Sequence, residues 1–198
     1  MWDEKFSREG FLYGLKPNQF LKDNLQLIEK NSDILFLGEG EGRSALYAAT
    51  LGFNVSALDA SEVGLQKTEQ RAQEMKVELK TILADLDIYK YETSYSSIMC
   101  SFLHLPNPLR REAFKKALSA LKMNGLFIAE FFSTAQLPLK SGGPKMEELL
   151  YTLDSVKEIF DIDGFEIILM QECKDLLDEG VGHQGEAELI RVIVKRVS

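Results

Sequence analysis

Asp33-Ile34-Leu35-Phe36-Leu37-Gly38-Glu39-Gly40-Glu41-Gly42-Arg43 is the stretch on which the reading of the chain turns. Behind Asp33 runs a short apolar segment closed by glycines, the pattern of a parallel strand buried on both faces. The residues after it predict a helix over 43–51, ended by Gly52 where helices take a left-handed cap. Glycines between a strand and a helix let the backbone turn tightly and approach a ligand, and the helix start offers amides to an anionic group. Working outward, 53–58 predicts a second strand that ends at Asp59, 21 residues after Gly38. Ser61 predicts an N-cap for a helix reaching Met75, with Leu65, Thr68, Ala72 and Met75 on one face.

The same alternation continues to the end. Residues 77–84 predict a third strand towards the sheet edge, and 97–102 a fourth. A helix over 109–122 turns Ala113, Phe114, Ala117, Leu118 and Leu121 inward, and Asn124-Gly125 breaks it. The fifth strand is expected at 126–129. Residues 133–145, with Pro138 and Gly142-Gly143-Pro144, form the longest irregular stretch and a candidate lid. A short helix over 153–160 leads through Asp163-Gly164 to a sixth strand at 165–170, and 188–197 supplies a seventh. Strands alternating with helices predict a doubly wound, mostly parallel α/β sheet with its ligand at the carboxyl ends of the early strands.

With 198 residues, 45% of them hydrophobic, and no internal repeat, a single domain is expected over 1–198. A formal charge of −8 argues against nucleic acid or an anionic membrane surface as the main partner. Two cysteines, Cys100 and Cys173, cannot build a disulfide framework and suit a reducing cytosol, and no metal site is expected. The amino terminus is charged from its third residue and lacks the apolar run of a signal peptide, so a cytoplasmic protein is expected.

Two ligand classes compete for the glycine turn. A dinucleotide wants G-x-G-x-x-G, whereas the spacing is G-x-G-x-G, and its pyrophosphate would face Glu39 and Glu41. One carboxylate about 5 Å from a phosphate charge costs roughly 3 kcal/mol at an effective dielectric near 20. S-adenosylmethionine carries a sulfonium, an ammonium and a single carboxylate, so an acidic turn beside a helix start and Arg43 suits it. Asp59 can accept both hydroxyls of a ribose.

Along nearly its whole length the chain resembles the class I S-adenosylmethionine-dependent methyltransferases, and within them a small bacterial branch similar to the tellurite-resistance and thiopurine methyltransferases. The likeness rests on 35–43, on Val55-Ser56-Ala57-Leu58-Asp59 and on Leu83-Ala84-Asp85-Leu86. It extends to the leader Trp2-Asp3-Glu4-Lys5-Phe6 with Tyr13-Gly14 and Pro17-Asn18, to His104-Leu105-Pro106, and to Glu179-Gly180 with His183-Gln184-Gly185. It implies a Rossmann-like sheet of seven strands with the last antiparallel, and a leader and helix over 1–30 that cap the cofactor site. It implies S-adenosylmethionine on Gly38, Glu39, Gly40, Gly42, Arg43, Asp59, Ala60, Asp85, Leu86, Ser101, Phe102 and Tyr13. Asp59 would hold the ribose, with Asp85 and Leu86 at the adenine. Phe36 stands where the family usually has an acidic residue, so Glu39 is expected to hold the ammonium instead.

His104 follows the fourth strand, where the methyl acceptor would sit, and is the candidate general base. His183 is expected in a loop at the same edge. The reading is in-line methylation of a small molecule such as a thiol or a chalcogen oxyanion, by a monomer or weak homodimer. A catalytically silent cofactor-binding module and a nucleotide-dependent oxidoreductase are the alternatives.

Overall fold

A computed structural model describes residues 2–198. Its strands are β1 (Asp33–Leu37), β2 (Asn54–Asp59), β3 (Lys80–Leu83), β4 (Tyr95–Ser101), β5 (Leu121–Phe132), β6 (Phe165–Glu179) and β7 (His183–Arg196). They form one sheet in the order β3-β2-β1-β4-β5-β7-β6, and β7 is antiparallel to both of its neighbours. The chain therefore has the Rossmann-like methyltransferase fold. The helices are α1 (Trp2–Phe6), α2 (Gln19–Asn24), α3 (Arg43–Thr50), α4 (Glu62–Met75), α5 (Leu109–Ser119) and α6 (Leu153–Phe160). Among the described residues no helix is long and apolar enough to cross a membrane.

Burial on both faces explains the unbroken apolar run of β1. Ile34 and Phe36 pack with Phe20, Leu21, Ala45 and Val55 on one face, while Leu35 and Leu37 pack with Phe114, Phe127 and Phe160 on the other. Each such large side chain removed from water contributes about 2 to 3 kcal/mol before entropy is charged against it. Ser61 caps α4 by accepting from Gly64 N–H at 3.1 Å, and Leu65, Thr68 and Ala72 are buried along that helix. Met75 is exposed instead.

Several boundaries differ from the sequence expectation. Helix α5 stops at Ser119, because Leu121 already pairs with Tyr95 as part of β5. Asn124-Gly125 thus falls inside a strand, where the register of β4 against β5 shifts between Tyr95 and Ser97 and Asn124 takes φ 65°. The last two strands are far longer than expected, joined in register from Phe165↔Arg196 to Glu179↔His183. Their outer halves are polar because much of β6 faces solvent, so an apolar-run search sees only the inner ends.

Residues 133–145 are not free to act as a lid. Gln136 Oε1 accepts from Glu188 N–H at 2.9 Å, Gln136 Nε2 donates to Ser141 Oγ at 2.8 Å, and Gln184 N–H donates to Ser141 O at 2.9 Å. Both side chains are buried. The segment is fastened to β7, and a neighbouring Gly142-Gly143-Pro144 turn forms part of a wall at the sheet's carboxyl edge.

Candidate active site

A cavity of about 410 Å³ opens at the carboxyl ends of β1, β2 and β4. Gly38, Glu39, Gly40, Arg43, Asp59, Ala60, Asp85, Leu86, Ser101, Phe102, Tyr13 and His104 all line it. Gly42 does not. Its φ of 80° places it against α4, where a Cβ would meet Thr68 at 2.5 Å. Gly40 has a comparable reason for being glycine: φ is 60°, and a Cβ would stand 2.8 Å from Phe6 Cζ. The leader helix rests directly on the turn.

The polar groups of the turn are arranged differently from what its charge suggests. Glu39 Oε1 accepts from Ser44 N–H and Ala45 N–H, both at 2.7 Å, so this carboxylate caps α3 from within the turn. The helix start is therefore not left open for an anionic ligand, as the sequence suggested. Burial raises the Glu39 pKa to about 7 in spite of those amides and of Arg43. Its other oxygen has no hydrogen-bond partner among the described residues. Glu41 is outside the cavity altogether: it accepts from Leu12 N–H at 2.7 Å and pairs with Lys67 at 2.8 Å. It anchors the leader.

Asp59 at the tip of β2 accepts from Gly40 N–H at 2.7 Å and from Ser61 N–H at 2.8 Å. These bonds fix its plane against the turn, and burial pushes its pKa up. Asp85 is exposed, with Leu86 buried beside it. Phe102, immediately after β4, takes φ 55°, an uncommon backbone conformation for an aromatic residue that costs of order 1 to 3 kcal/mol. Its ring stacks on Phe132 at 4.5 Å and meets His183 edge-on at 4.5 Å.

His104 is placed as expected, but its ring is more enclosed than that of a base open to an acceptor. Its Nδ1 donates to Leu149 O at 2.9 Å, and Nε2 is closed off from solvent with no partner. Burial drives its pKa far below the usual histidine range. The ring stacks on Phe132 at 5.6 Å and serves as a wall. Behind it, Arg110 lies 3.9 Å over the Tyr151 ring and donates to three backbone carbonyls, so that side of the cavity is rigid.

A buried polar network crosses the edge of the site. Arg43 donates to Glu179 at 2.9 Å, and Asn18 donates to both Glu130 at 2.7 Å and Glu179 at 3.2 Å. Arg191 donates in turn to Glu130 at 2.6 Å. His183 joins the network through Glu179 and lines the cavity, with the Tyr13 ring 4.3 Å away. Sequence reasoning placed His183 in a loop at this edge without a function. The signal that could have found it is the spacing Glu179-x-x-x-His183 across a two-glycine turn.

The fold recurs among known proteins. Residues 34–125 match the methyltransferase domain family. Similar solved structures include one described by the conversion of a disulfide bond into a thioacetal group during echinomycin biosynthesis, with 16% identity and a TM-score of 0.79 over 98% of this chain and 88% of that one. TehB from Haemophilus influenzae is similar with 17% identity and a TM-score of 0.74, over 100% of this chain and 66% of that one. Coclaurine N-methyltransferase, solved with N-methylheliamine and S-adenosylhomocysteine, gives 12% identity and 0.69, over 97% and 78%. No curated protein matches the chain. The family match spans a little under half of the chain, and the solved structures share its fold.

Proposed function

We propose that the chain methylates a small-molecule acceptor, acting in the cytoplasm as a monomer or weak homodimer built on one domain. The observation that carries this reading is the cavity itself: a carboxylate locked on two backbone amides at the tip of β2, between a glycine turn and a largely apolar chamber. Asp59 accepts the ribose hydroxyls, Leu86 and Ala60 bracket the adenine, and Asp85 takes its amine. The free oxygen of Glu39 meets the ammonium, Arg43 draws the carboxylate, and Ser101 and Phe102 flank the methionine arm. When bound, S-adenosylmethionine supplies a methyl group activated on a sulfonium.

The leader supplies the cover. Phe6 is buried on Gly40, Asp3 accepts from Ser61 and from Val63 N–H at 3.1 Å, and Lys67 donates to Arg8 O and Gly10 O at 3.1 and 2.6 Å. Excluding water favours a displacement in which the cofactor's positive charge disperses. Titration calorimetry tests the reading: S-adenosylhomocysteine binds one to one and NADH does not. NADH binding without S-adenosylhomocysteine binding would overturn it.

A further inference from the structure

Glu179 and His183 close the β6–β7 turn with His183 Nδ1 3.1 Å from Glu179 Oε2. A carboxylate only accepts, so Nδ1 carries the hydrogen and Nε2 keeps its lone pair. Glu179 is itself clamped by Arg43 and Asn18. The His183 ring is hemmed in by Tyr13 at 4.3 Å, Phe102 at 4.5 Å and Phe132 at 5.1 Å. A Cβ on Gly142 would meet its Cδ2 at 2.4 Å, so the wall approaches closely there too. Nε2 has no hydrogen-bond partner among the described residues, and the ring lines the cavity. A neutral imidazole fixed by a carboxylate, with its second nitrogen free, is the arrangement a proton acceptor needs.

The surroundings limit what can donate that proton. Two cations line the cavity. Arg43 is paired with Glu179, and Lys5 lies 4.3 Å over the Trp2 ring in the leader. Glu39, Asp59 and Asp85 line the same space, so carboxylates outnumber the two cations and an anionic acceptor is disfavoured. The chamber around His183 is made of Phe102, Phe132, Tyr13 and His104 rings, which favour a flat apolar body.

We propose that His183, positioned by Glu179, takes the proton from an uncharged amine, hydroxyl or thiol carried on a flat apolar body, and that the site is not built for an oxyanion. This rests on the methyl-transfer reading above. The acceptor's lone pair forms the bond to the methyl carbon, the methyl–sulfur bond breaks with its electrons going to sulfur, and the acceptor's hydrogen passes to Nε2. The positive charge lost from sulfur reappears on an imidazolium paired with Glu179, and the proton then leaves to water.

Four readouts test this on the full chain. Nitrogen NMR of His183 at pH 7 shows Nδ1 protonated and Nε2 bare; the opposite tautomer overturns the proposal. Benzylamine, benzyl alcohol, benzyl mercaptan and sodium tellurite are then offered with S-adenosylmethionine. At least one of the first three is methylated and tellurite is not, whereas methylation of tellurite alone, or of none of the four while S-adenosylhomocysteine binds, overturns it. His183→Asn lowers kcat for the methylated acceptor at least 100-fold with S-adenosylhomocysteine affinity within threefold of the parent. Glu179→Gln keeps an acceptor for Nδ1 but moves the rising limb of the pH–rate profile to lower pH. The charged and titratable groups facing the ring are Glu179, Arg43 of α3, Tyr13 of the leader and His104 after β4. Equal kcat in His183→Asn and parent overturns the proposal, while failure of the parent to bind S-adenosylhomocysteine strikes the methyl-transfer reading instead.

Discussion

The two ends of the cavity are made in different ways. The end beneath β1, β2 and β3 comes from short stretches, Gly38-Glu39-Gly40 with Arg43, 59–60 and 85–86, which line the cavity directly. The end beyond β4 is assembled from Tyr13 in the leader, Phe102 and His104 after β4, Phe132 at the end of β5, Gly142-Gly143-Pro144, and His183 at the β6–β7 turn. The first end is a local property of the strand–turn–helix unit. The second exists only once segments more than a hundred residues apart have been folded together, and the match to the methyltransferase domain ends at residue 125, before most of it.

Arg43 joins the two ends, and breaking it has the largest effect expected. It lines the first end while its guanidinium pairs with buried Glu179 at the second. Arg43→Met removes the cation and leaves that carboxylate buried, so unfolding in urea should show a loss of about 3 kcal/mol or more. A loss under 1 kcal/mol would mean that the two ends are independent.

Glu39 sharpens the same contrast through pH. Its pKa, raised to about 7 from an ordinary 4.5, means the folded chain binds a proton more tightly there than the unfolded chain does. Its contribution to stability is full below pH 4.5 and is lost as pH rises through about 7, amounting to about 3 kcal/mol at most. Glu39→Gln retains an oxygen for Ser44 and Ala45 N–H but has no proton to lose. The difference in stability between variant and parent therefore shifts in the variant's favour from pH 5 to pH 8, as thermal unfolding will report.

Gly40→Ala strains a backbone at φ 60° and drives a methyl into Phe6, so it should cost about 1 to 2 kcal/mol and loosen the leader. Trp2, the single tryptophan, lies in that leader and lines the cavity, so its fluorescence reports the effect. In the parent S-adenosylhomocysteine changes Trp2 emission, and in Gly40→Ala the change is smaller. The smallest effect belongs to Lys16→Ala. Its 2.9 Å pair with Asp178 is exposed at both ends, and less than 0.5 kcal/mol should be lost.

What could be read in the sequence follows the same division. Gly38, Asp59 and Leu86 were legible because each sits at a fixed offset from a strand end that its own apolar run defines. In the letters the two glutamates of the turn count alike against a diphosphate, and the structure separates them. Glu41, counted as facing the ligand, is turned to Lys67 and Leu12, whereas Glu39 closes the helix start by taking the amides of Ser44 and Ala45. Charge was visible in the letters, but the direction of each side chain was not. His104 was legible in position, but its enclosure was not, since its partner Leu149 O is 45 residues away. His183 needed the long hairpin, whose polar outer half hid the strands that present it.

A crystal structure with S-adenosylhomocysteine tests the central claim most directly. The adenosyl group should lie between the tips of β1, β2 and β3 with its ribose hydroxyls on Asp59, and its sulfur should face the chamber of Phe102, Phe132 and His183. An adenosyl group bound elsewhere, with Asp59 away from the sugar, would contradict the account.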